Sequence, residues 1–152
     1  MTALAHDTVV IERTFEASVA RVFAAFADPV ARAKWGVPSD TAVLLYDATD
    51  FRVGGHDRFR CGAKSDPKYH GEVRYLHIEN ERHIIYAETI DADGSRLSAS
   101  LNTVEFMAIG QRTALKLTVQ VAAIGGADMI AGTRFGHGVA LTKLADFLGS
   151  GA

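Results

Sequence analysis

The chain has 152 residues, of which 48% are hydrophobic and 22% charged, and its formal net charge is -2. That length can bury a sizeable single core, and the near-balanced charge gives no electrostatic reason to expect nucleic acid or an anionic membrane as a partner. One cysteine, Cys61, excludes an internal disulfide framework, and no apolar run approaches the ~20 residues that span a bilayer.

Residues Met1 to Asp7 contain no basic region followed by an apolar core, so the expected location is cytoplasmic. Residues 8–15 alternate loosely and are rich in β-branched side chains, which predicts a first strand. Ser18 can cap a helix in which Val19, Val22, Phe23 and Phe26 recur at helical spacing. Asp28-Pro29 starts a second short helix, which ends near Trp35-Gly36 because Pro38 prevents its continuation. Further strands are expected at 42–46, 58–63, 69–78, 83–90, 97–106 and 113–121, giving seven with the first. The paired glycines of Asp50-Phe51-Arg52-Val53-Gly54-Gly55-His56-Asp57-Arg58-Phe59 predict a tight strand-to-strand turn. Ser65-Asp66-Pro67, Glu79-Asn80-Glu81, Asp91-Ala92-Asp93-Gly94 and Gly110-Gln111 supply the later turns, and such short links imply an antiparallel meander. Apolar residues at helical spacing then predict a long helix over 129–148, stopped by Gly149 and Gly151. The expected fold is α+β: a seven-stranded curved antiparallel sheet gripping the last helix, a shape that leaves a cavity.

Period-two alternation assigns the faces. Leu115, Leu117, Val119 and Val121 form a core face, and Val104 and Phe106 look inward from the preceding strand. The same parity brings Asn102, Ser100 and Ser98 inward. There they need partners, since a buried unpaired hydroxyl or amide costs ~1–3 kcal/mol. Phe26, Trp35, Phe59, Tyr86, Phe106 and Phe135 come from both helical regions and several strands and can converge on one cavity. Trp35, beside Gly36 at the end of a short helix, is expected at its rim. Arg58 and Arg60 fall on the opposite strand face from Cys61, which reads as an inert buried thiol.

Four segments carry a family resemblance: Ile11 to Ser18 with Val22-Phe23-Ala24-Ala25-Phe26, Asp28-Pro29 and Trp35; Asp50 to Phe59; Gly71-Glu72-Val73 with Glu81-Arg82 and Ile84-Ile85-Tyr86; and Val104-Glu105-Phe106 with 113–118 and the helix ending Leu141 to Leu148. On these the chain resembles the START-like (SRPBCC, Bet-v-allergen-type) superfamily, and within it the family related to the activator of the heat-shock-protein-ninety ATPase. The likeness runs nearly end to end and implies one START-like domain over 1–152 in the helix-grip fold. Two departures stand out. Gly136-His137 stands where the family's terminal helix opens with Gly-Trp, and His77-Ile78-Glu79-Asn80 replaces a proline-containing turn.

No H-x-x-x-H or H-x-H pair, cysteine cluster, G-x-S-x-G elbow or phosphate loop occurs, so no metal, cofactor or catalytic residue is assigned. His70 and His137 are the histidines open to acid-base work, and no carboxylate at a compelling spacing orients His137. The leading expectation is binding of a small hydrophobic or amphipathic molecule between sheet and terminal helix. Its expected ligand-binding residues are Phe26, Trp35, Phe59, Tyr86, Ser100, Asn102, Phe106, Phe135 and His137. Two alternatives stand beside it: a polyketide cyclase-like or hydrolase-like enzyme using a pocket histidine, and a module acting on a chaperone ATPase. A homodimer is the assembly considered.

Overall fold

The computed structural model describes residues 4–149. Strand β1 (Ala5–Phe15) leads into helices α1 (Val19–Ala27) and α2 (Pro29–Trp35). Strands β2 (Ala42–Ala48), β3 (His56–Ala63), β4 (Asp66–Glu79), β5 (His83–Ala92), β6 (Ser95–Ile109) and β7 (Arg112–Ala123) follow, and helix α3 (Ala127–Gly149) closes the chain. The strands make one seven-stranded sheet in the order β1-β7-β6-β5-β4-β3-β2, antiparallel throughout. Register shifts at Tyr46/Ala48, Cys61/Ala63, Tyr75/His77 and Ile90/Asp91 bend β2 to β6, because a bulge kinks its strand and raises the local twist. The expected α+β helix-grip architecture is what the chain adopts.

Local chemistry fixes the helices. Ser18 caps α1, its Oγ accepting from the Arg21 amide at 3.3 Å. Asp28 ends α1 and starts α2, its carboxylate accepting from the Val30 amide at 2.9 Å, with Pro29 in the first turn. Helix α3 lays Ile130, Leu141, Leu144 and Leu148 against the inner sheet face, where Val9, Val104 and Val119 are fully buried. Its end is tied to α1 by Arg21, whose Nη2 donates to the Leu148 carbonyl at 2.7 Å. A cation there also complements the carbonyl end of the helix dipole.

The glycine segment differs from a two-residue hairpin turn. Residues 49–55 form a longer connection that docks on β4: Gly54 N donates to the Tyr75 carbonyl at 2.8 Å and Tyr75 N to the Gly55 carbonyl at 3.0 Å. Gly54 has φ +83°, a region only glycine occupies freely. A Cβ on Gly55 would sit 2.1 Å from the Asp50 carbonyl oxygen.

Two glycine substitutions should therefore differ in sign. Gly55→Ala must displace backbone and is expected to destabilise by roughly 2–3 kcal/mol or more. Gly132→Ala, in α3 with nothing within 4 Å of the added carbon, should stabilise by about 1 kcal/mol through helix propensity. Thermal melts of the two proteins against the parent check both.

Candidate functional site

Between the concave sheet face, α2 and α3 lies a cavity of about 150 Å³. The helices contribute Phe26 at the end of α1, Arg32 and Trp35 from α2, and His137, Ala140 and Leu141 from α3. The sheet contributes Leu44 and Tyr46 from β2, Phe59 and Cys61 from β3, Val73 and Tyr75 from β4, and Ile84, Tyr86 and Glu88 from β5. Seven of the cavity's 18 lining residues are Phe, Tyr or Trp. Phe26 meets Trp35 at 4.8 Å between centroids, Tyr46 meets Phe59 at 5.9 Å, and Tyr75 meets both Phe51, at 5.0 Å, and Tyr86, at 6.0 Å. These are edge-to-face contacts that suit ring quadrupoles. Gly71 makes room for Phe59: the two pair across β3–β4, and a Cβ on Gly71 would lie 2.0 Å from the Phe59 ring.

One side of the wall is held by a buried ion pair. Arg32 Nη1 donates to Asp57 Oδ2 at 2.7 Å and to the Tyr75 hydroxyl at 2.5 Å, while that hydroxyl donates to the same Asp57 oxygen at 2.5 Å. Asp57 Oδ1 accepts from the Asp50 amide at 3.1 Å, which ties in the glycine segment. Asp57 is completely buried. The Arg32 guanidinium also lies over the Tyr46 ring, 4.9 Å from its centroid, and its Nε and Nη2 have no hydrogen-bond partner. The ring face offsets part of that deficit. Burial alone would depress Arg32, but the neighbouring Tyr46, Tyr75 and Asp57 hold it above its ordinary value. Burial raises Tyr46 to about 12 and moves Tyr75 and Tyr86 further up, so all three phenols stay neutral.

Two further polar groups enter the cavity. Burial pushes Glu88 up to about 7, with the Asn102 amide holding it back, and pulls His137 down to about 4. Both keep some accessible surface, and both line the cavity. Asn102 is fully buried opposite Tyr86 in the β5–β6 register. Its amide makes no bond of good geometry, yet it lies close enough to favour the charged forms of Tyr86 and Glu88. Ser100 stands opposite Glu88.

Of the residues expected to bind a ligand, the structure brings Phe26, Trp35, Phe59, Tyr86 and His137 to the cavity. Trp35 belongs to the inner wall rather than an exposed rim: it is 6% exposed and its Nε1 donates to the Ala25 carbonyl at 3.0 Å. Asn102, Ser100 and Phe106 do not line the cavity. The Phe106 ring packs on Phe23 and Phe26 at 5.4 and 5.3 Å. Phe135 is 68% exposed, because the inward stripe of α3 runs through 130, 137, 141, 144 and 148 and leaves 135 on the far side. His70 is exposed. Cys61 sits half-buried in the cavity wall with its thiol pushed up by burial, which keeps it protonated.

Sequence reasoning passed over Arg32, Asp57, Tyr75 and Glu88. For Glu88 the signal was present, since it shares parity with Ile84 and Tyr86. Another grouping crosses a hairpin, where spacing rules do not look. His77, Glu79 and His83 bring their ligand atoms within 4.8 Å of one another, with His83 Nδ1 3.1 Å from Glu79 Oε2. This trio lines no part of the cavity.

The ion pair and the two titrating groups give separate expectations. Arg32→Met leaves Asp57 buried without its cation and should cost about 3–5 kcal/mol, of which Arg32→Met/Asp57→Asn recovers a part; urea denaturation of both variants measures this. Glu88 holds its proton in the fold to about 7, so its contribution to stability falls as pH rises from the ordinary carboxylate range to neutrality. His137 stays neutral in the fold down to about 4, so its contribution falls as pH drops from the ordinary imidazole range to about 4. The windows overlap and the slopes oppose. Glu88→Gln should therefore expose a loss on the acid side alone, and His137→Gln a loss towards neutral pH alone, each roughly 3 kcal/mol across its window. Denaturant midpoints at stepped pH read out both.

The fold has known counterparts. A structure of Mll3558 protein from Rhizobium loti is 33% identical, with 95% of this chain and 99% of that chain covered and a TM-score of 0.84. An uncharacterised protein from Rhizobium leguminosarum is 35% identical, with 97% of each chain covered and a TM-score of 0.86. Protein CV1439 from Chromobacterium violaceum, at 25% identity, covers 91% of this chain and 94% of its own with a TM-score of 0.80. Comparison with curated proteins gives no match. The family described as "Activator of Hsp90 ATPase homolog 1-like protein" matches residues 16–149, from the last residues before α1 to the end of α3, and the chain belongs to that family.

Proposed function

We propose that this domain binds a small, largely apolar molecule in the cavity between the sheet, α2 and α3. The observation that carries the reading is the cavity itself: an aromatic-walled space with a few fixed polar groups, the usual make-up of small-molecule sites. Its volume of about 150 Å³ is that of a cavity known to take up benzene. Drug-sized ligands need several hundred Å³. The ligand that fits is therefore a single ring or a short chain with a small substituent.

A second reading, proton-transfer catalysis, is favoured by one observation. Glu88, near neutrality in its titration, shares the cavity wall with His137, and groups poised there suit general acid-base work. The family's name refers to activation of a chaperone ATPase, and no observation on this chain favours that reading.

Trp35 is the chain's single tryptophan and lines the cavity, so its emission reports on occupancy from one source. Saturating toluene or benzyl alcohol is expected to quench or shift that emission. Cys61→Phe, which fills the cavity from β3, should abolish the response while the far-UV spectrum stays that of the parent. Native mass spectrometry of freshly purified protein should show a mass above that of the bare chain. Unchanged emission with every apolar probe rejects the binding reading.

A further inference from the structure

Resting on that binding reading, we infer that the ligand of this cavity carries a protonated amine, which pairs with Glu88 while its apolar body lies among the aromatic rings. The argument begins with charge. The wall contains Arg32, Glu88 and His137, and Asp57 stands directly behind it. Arg32 and Asp57 neutralise each other in a direct 2.7 Å pair. His137 holds no charge near neutral pH. Among the described residues, no Lys, Arg or His lies within ion-pair distance of Glu88. An ionised Glu88 therefore leaves the cavity with one net negative charge and no counter-ion.

The groups that face Glu88 complete the case. Tyr46 comes from β2, Cys61 from β3, Tyr86 from β5 itself and Asn102 from β6, with Arg32 from α2 and His137 from α3 across the same space. The two phenols and the thiol are neutral, so they neither supply nor oppose a cation. The Tyr86 ring lies close to this carboxyl and the Phe59 ring lines the same cavity, and aromatic faces attract ammonium groups by about 0.5–2 kcal/mol. An anionic ligand meets the opposite situation: Glu88 repels it, and the partnerless Arg32 atoms, Nε and Nη2, have no accessible surface to offer it. A neutral ligand satisfies the apolar wall and leaves an ionised carboxyl without a counter-ion. Pairing with an ammonium offsets the burial that now keeps Glu88 protonated, so binding should expel a proton from the carboxyl around neutral pH.

Three probes of nearly equal shape separate the alternatives: benzylamine, benzyl alcohol and benzoate. Their binding is read by Trp35 emission and by calorimetry. At about pH 8, benzylamine is expected to bind at least about tenfold more tightly than benzyl alcohol, and benzoate most weakly. The affinity for benzylamine should rise from about pH 6 to about pH 8 and release protons, while that for benzyl alcohol stays flat. Glu88→Gln should bring benzylamine down to the affinity of the alcohol and remove the pH dependence. Should that variant fail to fold, the pH profile of the parent protein still decides. Equal affinities for amine and alcohol, or amine binding that ignores pH and the substitution, overturn the inference and leave the binding reading standing. Failure of all three probes, together with toluene, overturns both.

Discussion

The contact among Arg32, Asp57 and Tyr75 is the constraint on which the functional half of the molecule depends. It joins α2 to β3 and β4 and, through the Asp50 amide, to the connection that leads into β3. Without it, α2 would meet the bent end of the sheet through apolar contacts alone, which slide more easily than a directional ion pair. A buried pair of this kind adds little net stability, because desolvation consumes most of the attraction. What it supplies is position. Trp35 lies three residues beyond Arg32, so the register of the ion pair sets where the indole meets Phe26 and closes the cavity.

The cavity is thus divided chemically. On the α2 side, charge is compensated within the protein and the phenols are neutral. On the β5 side, Glu88 has an amide behind it and no cation in front. His137 completes the wall from α3 as a neutral imidazole. The tryptophan that the resemblance leads one to expect at that place would present a larger surface with only a donor. Imidazole is smaller and can accept as well as donate a hydrogen bond, so this chain's departure alters both the room and the polarity of the site.

Much of the fold was legible because alternation and turn chemistry agree along the chain. Every predicted strand exists, and the terminal helix begins and ends within two residues of expectation. The inward parity of β6 placed Ser98, Asn102, Val104 and Phe106 correctly on the buried face. The site was less legible for three physical reasons. Parity says which face a residue occupies and not where along that face the cavity lies, so Asn102 and Phe106 are buried on the inner face without lining the cavity. Glycines at 132, 136 and 138 thin the apolar pattern of α3, so the phase of Phe135 was left open to misreading. The Arg32–Asp57 contact spans 25 residues between a helix and a strand, and no local pattern encodes such a meeting.

The position of β1 has a consequence for how the chain assembles. As an edge strand it pairs with β7 alone, in register from Ala5↔Ala123 to Phe15↔Thr113. Strand β1 therefore waits, unpaired, until β7 has been made. Closing so long a loop is entropically slow, which places this domain among those whose folding rate is limited by non-local pairing. Helix α3 comes later still. During synthesis the aromatic lining is open to solvent until α3 seats, so the surface that encloses the cavity in the folded domain is also an exposure to aggregation while nascent.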